Sequence, residues 1–269
     1  DVYKMQGMDI GSGKDLNEYG NIPYHLIDIV DPGYEFNVFE FQQCFVTAYL
    51  EIKSSHRFPM LVGGTGLYIA SVLNKYQFTK VATNEQLREE LTDKSHEHLV
   101  KTLYSLQPNL HNTTDLLDRE RLTRAIEIAV AENNESKPSI VMPDITPLIF
   151  GINWDRDVLK QRITVRLKDR LEQGLIEEVE NLHKQGVSWD TLHFYGLEYR
   201  FIAQHLQGEI NRNDMFQKLN SAIHAFSKQQ QKWFRRMAKK GTDIHWLKGG
   251  DDIYQQANLI IKEFDIVTS

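Results

Sequence analysis

Gly63-Gly64-Thr65-Gly66-Leu67-Tyr68 follows a short apolar run, Met60-Leu61-Val62, and leads into a helix-compatible segment, residues 69–73. Apolar run, glycine turn and helix, in that order, is how an α/β sheet places backbone amides at the carboxyl end of a strand. Three glycines let the backbone approach a ligand without Cβ clashes. The N–H groups opening the next helix suit a phosphate, and Thr65 brings a hydroxyl. Such a turn by itself is more often a tight connection than a ligand site. Its meaning therefore depends on the rest of the chain.

Working outward, residues 58–62 read as the strand feeding the turn, and residues 36–52 as a helix with Phe39, Phe41, Val46 and Leu50 among its apolar positions. Residues 23–30 read as a strand from their β-branched content, stopped by Asp31-Pro32-Gly33. Met8-Asp9-Ile10-Gly11-Ser12-Gly13-Lys14-Asp15 is close to a phosphate loop, but the spacing fails. Gly7 is one residue too far from Gly13, and Asp15 stands where the magnesium-binding hydroxyl belongs. It reads as a surface turn with Lys14 near substrate.

Beyond Tyr76 the character changes: residues 83–132 hold no β-like run, and residues 147–152 return to a strand. Leu87 and Leu91 share a helix face, as do Leu99, Leu103 and Leu106, and Leu122, Ala125, Ile126 and Ala129. The pattern predicts an α/β core, residues 1–78 and 140–269, interrupted by a helical insertion, residues 79–139. Residues 156–182 are helical with an i,i+4 stripe of Leu159, Ile163, Leu167 and Leu171, broken at Gly174. Arg162 and Arg166 lie one turn apart beside it. Residues 214–240 make a long helix with Lys228, Lys232, Arg235, Arg236, Lys239 and Lys240 at its end, and Gly241 stops it. A short strand at residues 244–247 and an amphipathic helix at 253–264 complete the chain.

The 269 residues are 25% charged and 41% hydrophobic, the make-up of a globular protein with a full core. No apolar run has the length of a membrane span. A single cysteine, Cys44, excludes a disulfide framework and a cysteine zinc site, and fits a reducing cytoplasm. The net charge of −6 argues against nucleic-acid binding through total charge, though not through a local basic patch.

Singly, each polar group has a plain structural explanation. Arg121 and Arg124 with Asp118 could form a surface ladder, and the cations on the last helix could complement its dipole. Six exceed what a dipole needs, and Trp233 and Phe234 among them suit nucleic-acid contact as well as packing. The ten histidines show no repeated ligand spacing, so no metal ligands are assigned.

Together, and in this order, the segments resemble the tRNA dimethylallyltransferases (tRNA isopentenyltransferases). The matching stretches begin with Gly7-Met8-Asp9-Ile10-Gly11, Tyr24-His25-Leu26-Ile27-Asp28-Ile29 and the glycine turn. They continue with Asp118-x-x-Arg121-Leu122-x-Arg124-Ala125-Ile126-Glu127, Arg162-Ile163-x-x-Arg166 and Gly174-Leu175-Ile176-Glu177-Glu178-Val179. Leu206-x-Gly208-Glu209-Ile210 and Lys228-x-Gln230-x-x-Trp233-Phe234-Arg235 complete the set. The resemblance implies a P-loop NTPase-like parallel sheet core with a helical insertion domain. It also implies transfer of a dimethylallyl group from its diphosphate to the N6 amine of an adenosine beside the anticodon, with Mg2+, by a monomer.

By the same resemblance Asp1 accepts the amine proton. Thr65, in the turn of Gly63, Gly64 and Gly66, sits near amine and diphosphate, and Arg166, with Arg162 near it, meets the diphosphate. Arg121 and Arg124 grip the tRNA anticodon stem-loop from the insertion, and the segment from His193 to Gly196 contacts it near the target base. The chain departs from the family in four places. The phosphate loop is expected upstream of Asp1, and Asp1-Val2-Tyr3-Lys4-Met5-Gln6 is one residue short of the family's pattern. Leu197 and Gln229 replace the usual tyrosine and arginine. The rival readings are an adenylate isopentenyltransferase acting on free nucleotide, a non-catalytic RNA-binding relative and a small-molecule kinase.

Overall fold

The computed structural model describes residues 5–34, 36–76, 78, 81, 83–108, 116, 119–134, 140–250 and 252–264. Its parallel sheet pairs β1 (Phe150–Asn153) with β2 (His245–Lys248), Phe150 opposite His245 and Asn153 opposite Lys248. Between them run α6 (Arg156–Glu172), α7 (Leu175–Lys184), α8 (Trp189–Phe194), α9 (Leu197–Leu206) and α10 (Arg212–Lys239). After β2 comes α11 (Ile253–Glu263), which packs on it. Asp155 starts α6 by accepting from the backbone N–H groups of Asp157 and Val158. Gly174 divides α6 from α7 because the chain turns there at φ 103°, a left-handed conformation costly for a residue with a Cβ.

Before the sheet lie α1 (Val38–Ser54) and α2 (Gly66–Leu73). The capping box of Asn37 and Glu40 opens α1. Gln42, fully buried on α1, donates to the carbonyls of Ser71 (2.9 Å) and Tyr76 (2.8 Å), which fixes α2 against α1. Phe36, Phe41 and Val72 form the apolar seam between them, with Leu26, Val30 and Tyr68 packed alongside.

Three helices, α3 (Glu85–Thr92), α4 (His96–Leu106) and α5 (Arg119–Asn134), bury a cluster of their own: Leu91, Leu99, Leu103, Leu122, Ile126 and Ala129. These are the residues that the helical spacing picked out. The largest core joins Met5 and Met8 to α7, α8, α9 and Met215 of α10, around Leu175, Val179, Leu192, Tyr199 and Ile202.

Two expected strands are corrected. Residues 58–62 form no strand and find no ladder partner among the described residues, and Met60 and Val62 are 78% and 80% exposed. β-branched content favours a strand only when a neighbour supplies the hydrogen bonds. Residues 23–30 contribute one bridge, Met5 to Val30. Leu26 (φ 62°) and Asp28 (φ 53°) are left-handed, which breaks the extension. Asp28 turns there to meet Lys14.

Candidate functional site

The reading of residues 8–15 as a surface turn with Lys14 near substrate is also corrected. Lys14 is 2% exposed. Its ammonium donates to the Met5 carbonyl (2.6 Å), to Asp9 Oδ1 (2.8 Å) and to Asp28 Oδ1. Three acceptors satisfy all three of its protons. Lys14 therefore knots the segments at 5, 9 and 28 and has no donor left for a substrate.

The amides of this loop are occupied as well. Glu178, on α7, accepts from the N–H groups of Asp9 (2.9 Å), Ile10 (2.6 Å) and Gly11 (3.0 Å). Successive amides pointing at one anion form a phosphate-binding concavity; here the anion is the chain's own carboxylate. Tyr199 donates to the same carboxylate at 2.9 Å, and burial together with Glu178 pushes its phenol far up, so it stays a donor. Gly11 is required: a Cβ there would meet Tyr199 Oη at 2.7 Å.

The far end of the loop meets α6. Asp15 Oδ2 lies 2.9 Å from Arg170 Nη2 and 3.8 Å from Arg166 Nη2. Arg170, 8% exposed, also donates to the Ile10 carbonyl. The backbone of Gly13 lies against both guanidiniums, since a Cβ there would meet Arg166 Nη2 at 2.4 Å and Arg170 Nη2 at 2.6 Å. Glu198, at the start of α9, faces the same cations. Burial pushes its carboxyl up against the opposing pull of Arg170 and Arg166.

The glycine turn is built by α10. Gln230 donates to the Gly64 carbonyl at 3.0 Å. The Trp233 indole lies so close to Gly66 that a Cβ would sit 1.9 Å from its Cδ1. Its Nε1 is buried with no hydrogen-bond partner among the described residues. Gln230 and Trp233 are three apart on one face of α10, so the helix presents both to the turn. Thr65 precedes α2 with extended backbone and makes no capping bond; it and Gly63 are exposed.

The other expected residues fall elsewhere. Arg162 stacks 4.1 Å over the Trp154 ring. Arg124 donates to Glu127 (2.8 Å) and to the Val81 carbonyl (2.5 Å), and Arg88 meets the same carboxylate at 2.8 Å. Arg121 is exposed on α5. His193 shares a contact with Gln207 (3.1 Å), and its carbonyl accepts from Arg200. Gly196 opens α9 at φ 137°. Asp1 and Asp118 lie outside the described residues. Arg170 escaped the reading of the sequence, and Asp15, Glu178 and Tyr199 were given no part in the site there. The signal for Arg170 was present, because it continues Arg162 and Arg166 at i+4.

Among the described residues no group of three or more His, Cys, Asp or Glu stands together as a metal site, and no helix is long and apolar enough to cross a membrane.

Known proteins similar to this chain carry related descriptions. A tRNA dimethylallyltransferase of Geotalea uraniireducens is 60% identical over 261 residues, covering 97% of this chain and 85% of that protein. The crystal structure of the full-length tRNA isopentenylpyrophosphate transferase of Bacillus halodurans superposes with a TM-score of 0.69 at 26% identity, covering 98% of this chain and 86% of that one. A eukaryotic dimethylallyltransferase acting on tRNA gives a TM-score of 0.72 at 20% identity, over 95% of this chain and 69% of that one, which speaks to fold. The fold is thus the P-loop-like α/β arrangement expected from the sequence. The IPP transferase family model matches residues 1–237, and the chain belongs to that family.

Proposed function

We propose that this protein transfers a dimethylallyl group from dimethylallyl diphosphate to the N6 amine of an adenosine next to the anticodon of tRNA. The observation that carries this reading is the family match over residues 1–237, together with 60% identity to a tRNA dimethylallyltransferase. The amine lone pair attacks C1 of the dimethylallyl group, the C1–O bond breaks, and diphosphate leaves with the bonding pair. One proton leaves the amine, and Asp1 is proposed to accept it. The departing oxygens gain negative charge, and Arg166, 59% exposed beside the loop, is the cation proposed to meet it. Thr65 and the amides of the turn of Gly63, Gly64 and Gly66 are proposed to orient the reactants.

The adenine must leave its stack to reach such a site. Arg121 and Arg124 of the three-helix unit, proposed as the insertion at residues 79–139, and the segment from His193 to Gly196 would hold the RNA. The six cations at the end of α10 are all exposed. Magnesium commonly takes one or two carboxylates plus substrate phosphates. No step here is routed through the ion.

The test is transfer of isotopically labelled dimethylallyl diphosphate to tRNA and, in parallel, to AMP. Label in tRNA supports the proposal. Label in AMP alone would establish the nucleotide-acting rival, and label in neither would leave an RNA-binding relative.

A further inference from the structure

Asp15 and Arg166 form a contact that the transfer chemistry does not require. The two arginines around Asp15 are bound very differently. Arg170 is buried, bonded to Asp15 at 2.9 Å and also to the Ile10 carbonyl. Its side chain is thereby committed to holding the loop. Arg166 is 59% exposed and lies 3.8 Å from the same carboxylate, beyond hydrogen-bond reach. The carboxylate is held by its bond to Arg170. Asp15 is left-handed (φ 44°), and the preceding amides of Gly13 and Lys14 both donate to the Asp9 carbonyl while the Lys14 ammonium is locked. The hydrogen-bonded loop thus holds a half-exposed negative charge beside the cation proposed for the diphosphate.

We propose that Asp15 is an intramolecular counter-anion that competes with diphosphate for Arg166 and so sets how tightly the prenyl donor and the diphosphate product are held. This rests on the reading of Arg166 as a diphosphate ligand. Asp15 acts through Arg166 and is a positioning residue. Its charge weakens the diphosphate complex, while its bond to Arg170 keeps the loop in place. Asp15→Asn keeps the shape and an acceptor for Arg170 but removes the competing charge. One unit charge at a partly exposed site of this kind changes anion affinity by about tenfold.

The experiment is calorimetric titration of the full chain with inorganic pyrophosphate, for the wild type, D15N, D15E, R166A and D15N/R166A, with KM for dimethylallyl diphosphate measured alongside. D15N should bind pyrophosphate about tenfold more tightly and show a correspondingly lower KM without a higher kcat. D15E should restore wild-type affinity, and in the R166A background the gain should fall below twofold. A merely structural role for Asp15 predicts weaker binding in D15N. Unchanged or weaker binding there, or pyrophosphate binding in neither protein, overturns the proposal. If D15N has no effect while R166A still loses affinity, the function proposed above stands and only Asp15 is misassigned. If R166A binds pyrophosphate as the wild type does, the Arg166 assignment itself fails.

Discussion

Arg166 and Arg170 are one turn apart on α6, yet burial gives them different work. Arg170 has lost its water and keeps two protein acceptors, whereas Arg166 keeps an exposed guanidinium. Arg166→Ala should raise KM for dimethylallyl diphosphate and slow the chemical step, together costing about 2–4 kcal/mol of transition-state stabilisation. Steady-state and single-turnover kinetics check this, and wild-type values for the prenyl donor would remove Arg166 from the site. Thr65 is exposed and caps nothing. Thr65→Ala should therefore change stability by no more than about 0.5 kcal/mol while lowering turnover at saturating substrates. A lower melting temperature with unchanged turnover would make this hydroxyl a structural one.

At the scale of elements, the three-helix unit is closed by one buried carboxylate. Glu127, on α5, is 1% exposed and accepts from Arg88, Arg124 and the Asn84 amide. Burial alone would push its carboxyl up. The bonds from Arg88, Arg124 and Asn84, with the charge of Arg88, more than offset this and hold it below the usual carboxylate range. A carboxyl whose folded pKa is depressed contributes stability that is fully present above its unfolded pKa and lost as pH falls through the folded one. The unit should thus loosen in acid, at pH values below about 4. Glu127→Gln should flatten that part of the pH dependence and lower the melting temperature at neutral pH. Thermal melts from pH 7 to 3 decide, and parallel curves for both proteins would refute the linkage. The same bonds give Arg124 a structural share in this unit. Arg124→Ala should cost stability, and Arg121→Ala should weaken tRNA binding and reduce its salt dependence. Equal tRNA affinity for Arg121→Ala across a salt titration would take α5 out of the RNA site.

For the whole molecule, helices were legible because their evidence is local. The apolar spacing of Leu99 and Leu103, or of Leu122 and Ile126, depends on residues within two turns, and those side chains are the buried ones. The α/β class, and β1 and β2 to within a few residues, could also be read from the sequence, as could the family, from the order of its motifs. Strands were less secure, because a ladder needs a partner that local sequence does not name. Residues 58–62 have the composition and stay exposed, and residues 23–30 give way to left-handed turns. The site divides in the same way. The glycine turn and Arg166 were visible as motifs. That Trp233 and Gln230 of α10 close on the turn was decided only when residues more than 160 positions apart met. So too was the filling of the loop's amides by Glu178, and the burial of Lys14 among three oxygens. The sequence by itself determined which charges exist and on which helix they ride. Tertiary structure alone decided which are spent on each other and which remain for a ligand, because desolvation and hydrogen bonding depend on neighbours brought together from distant parts of the chain.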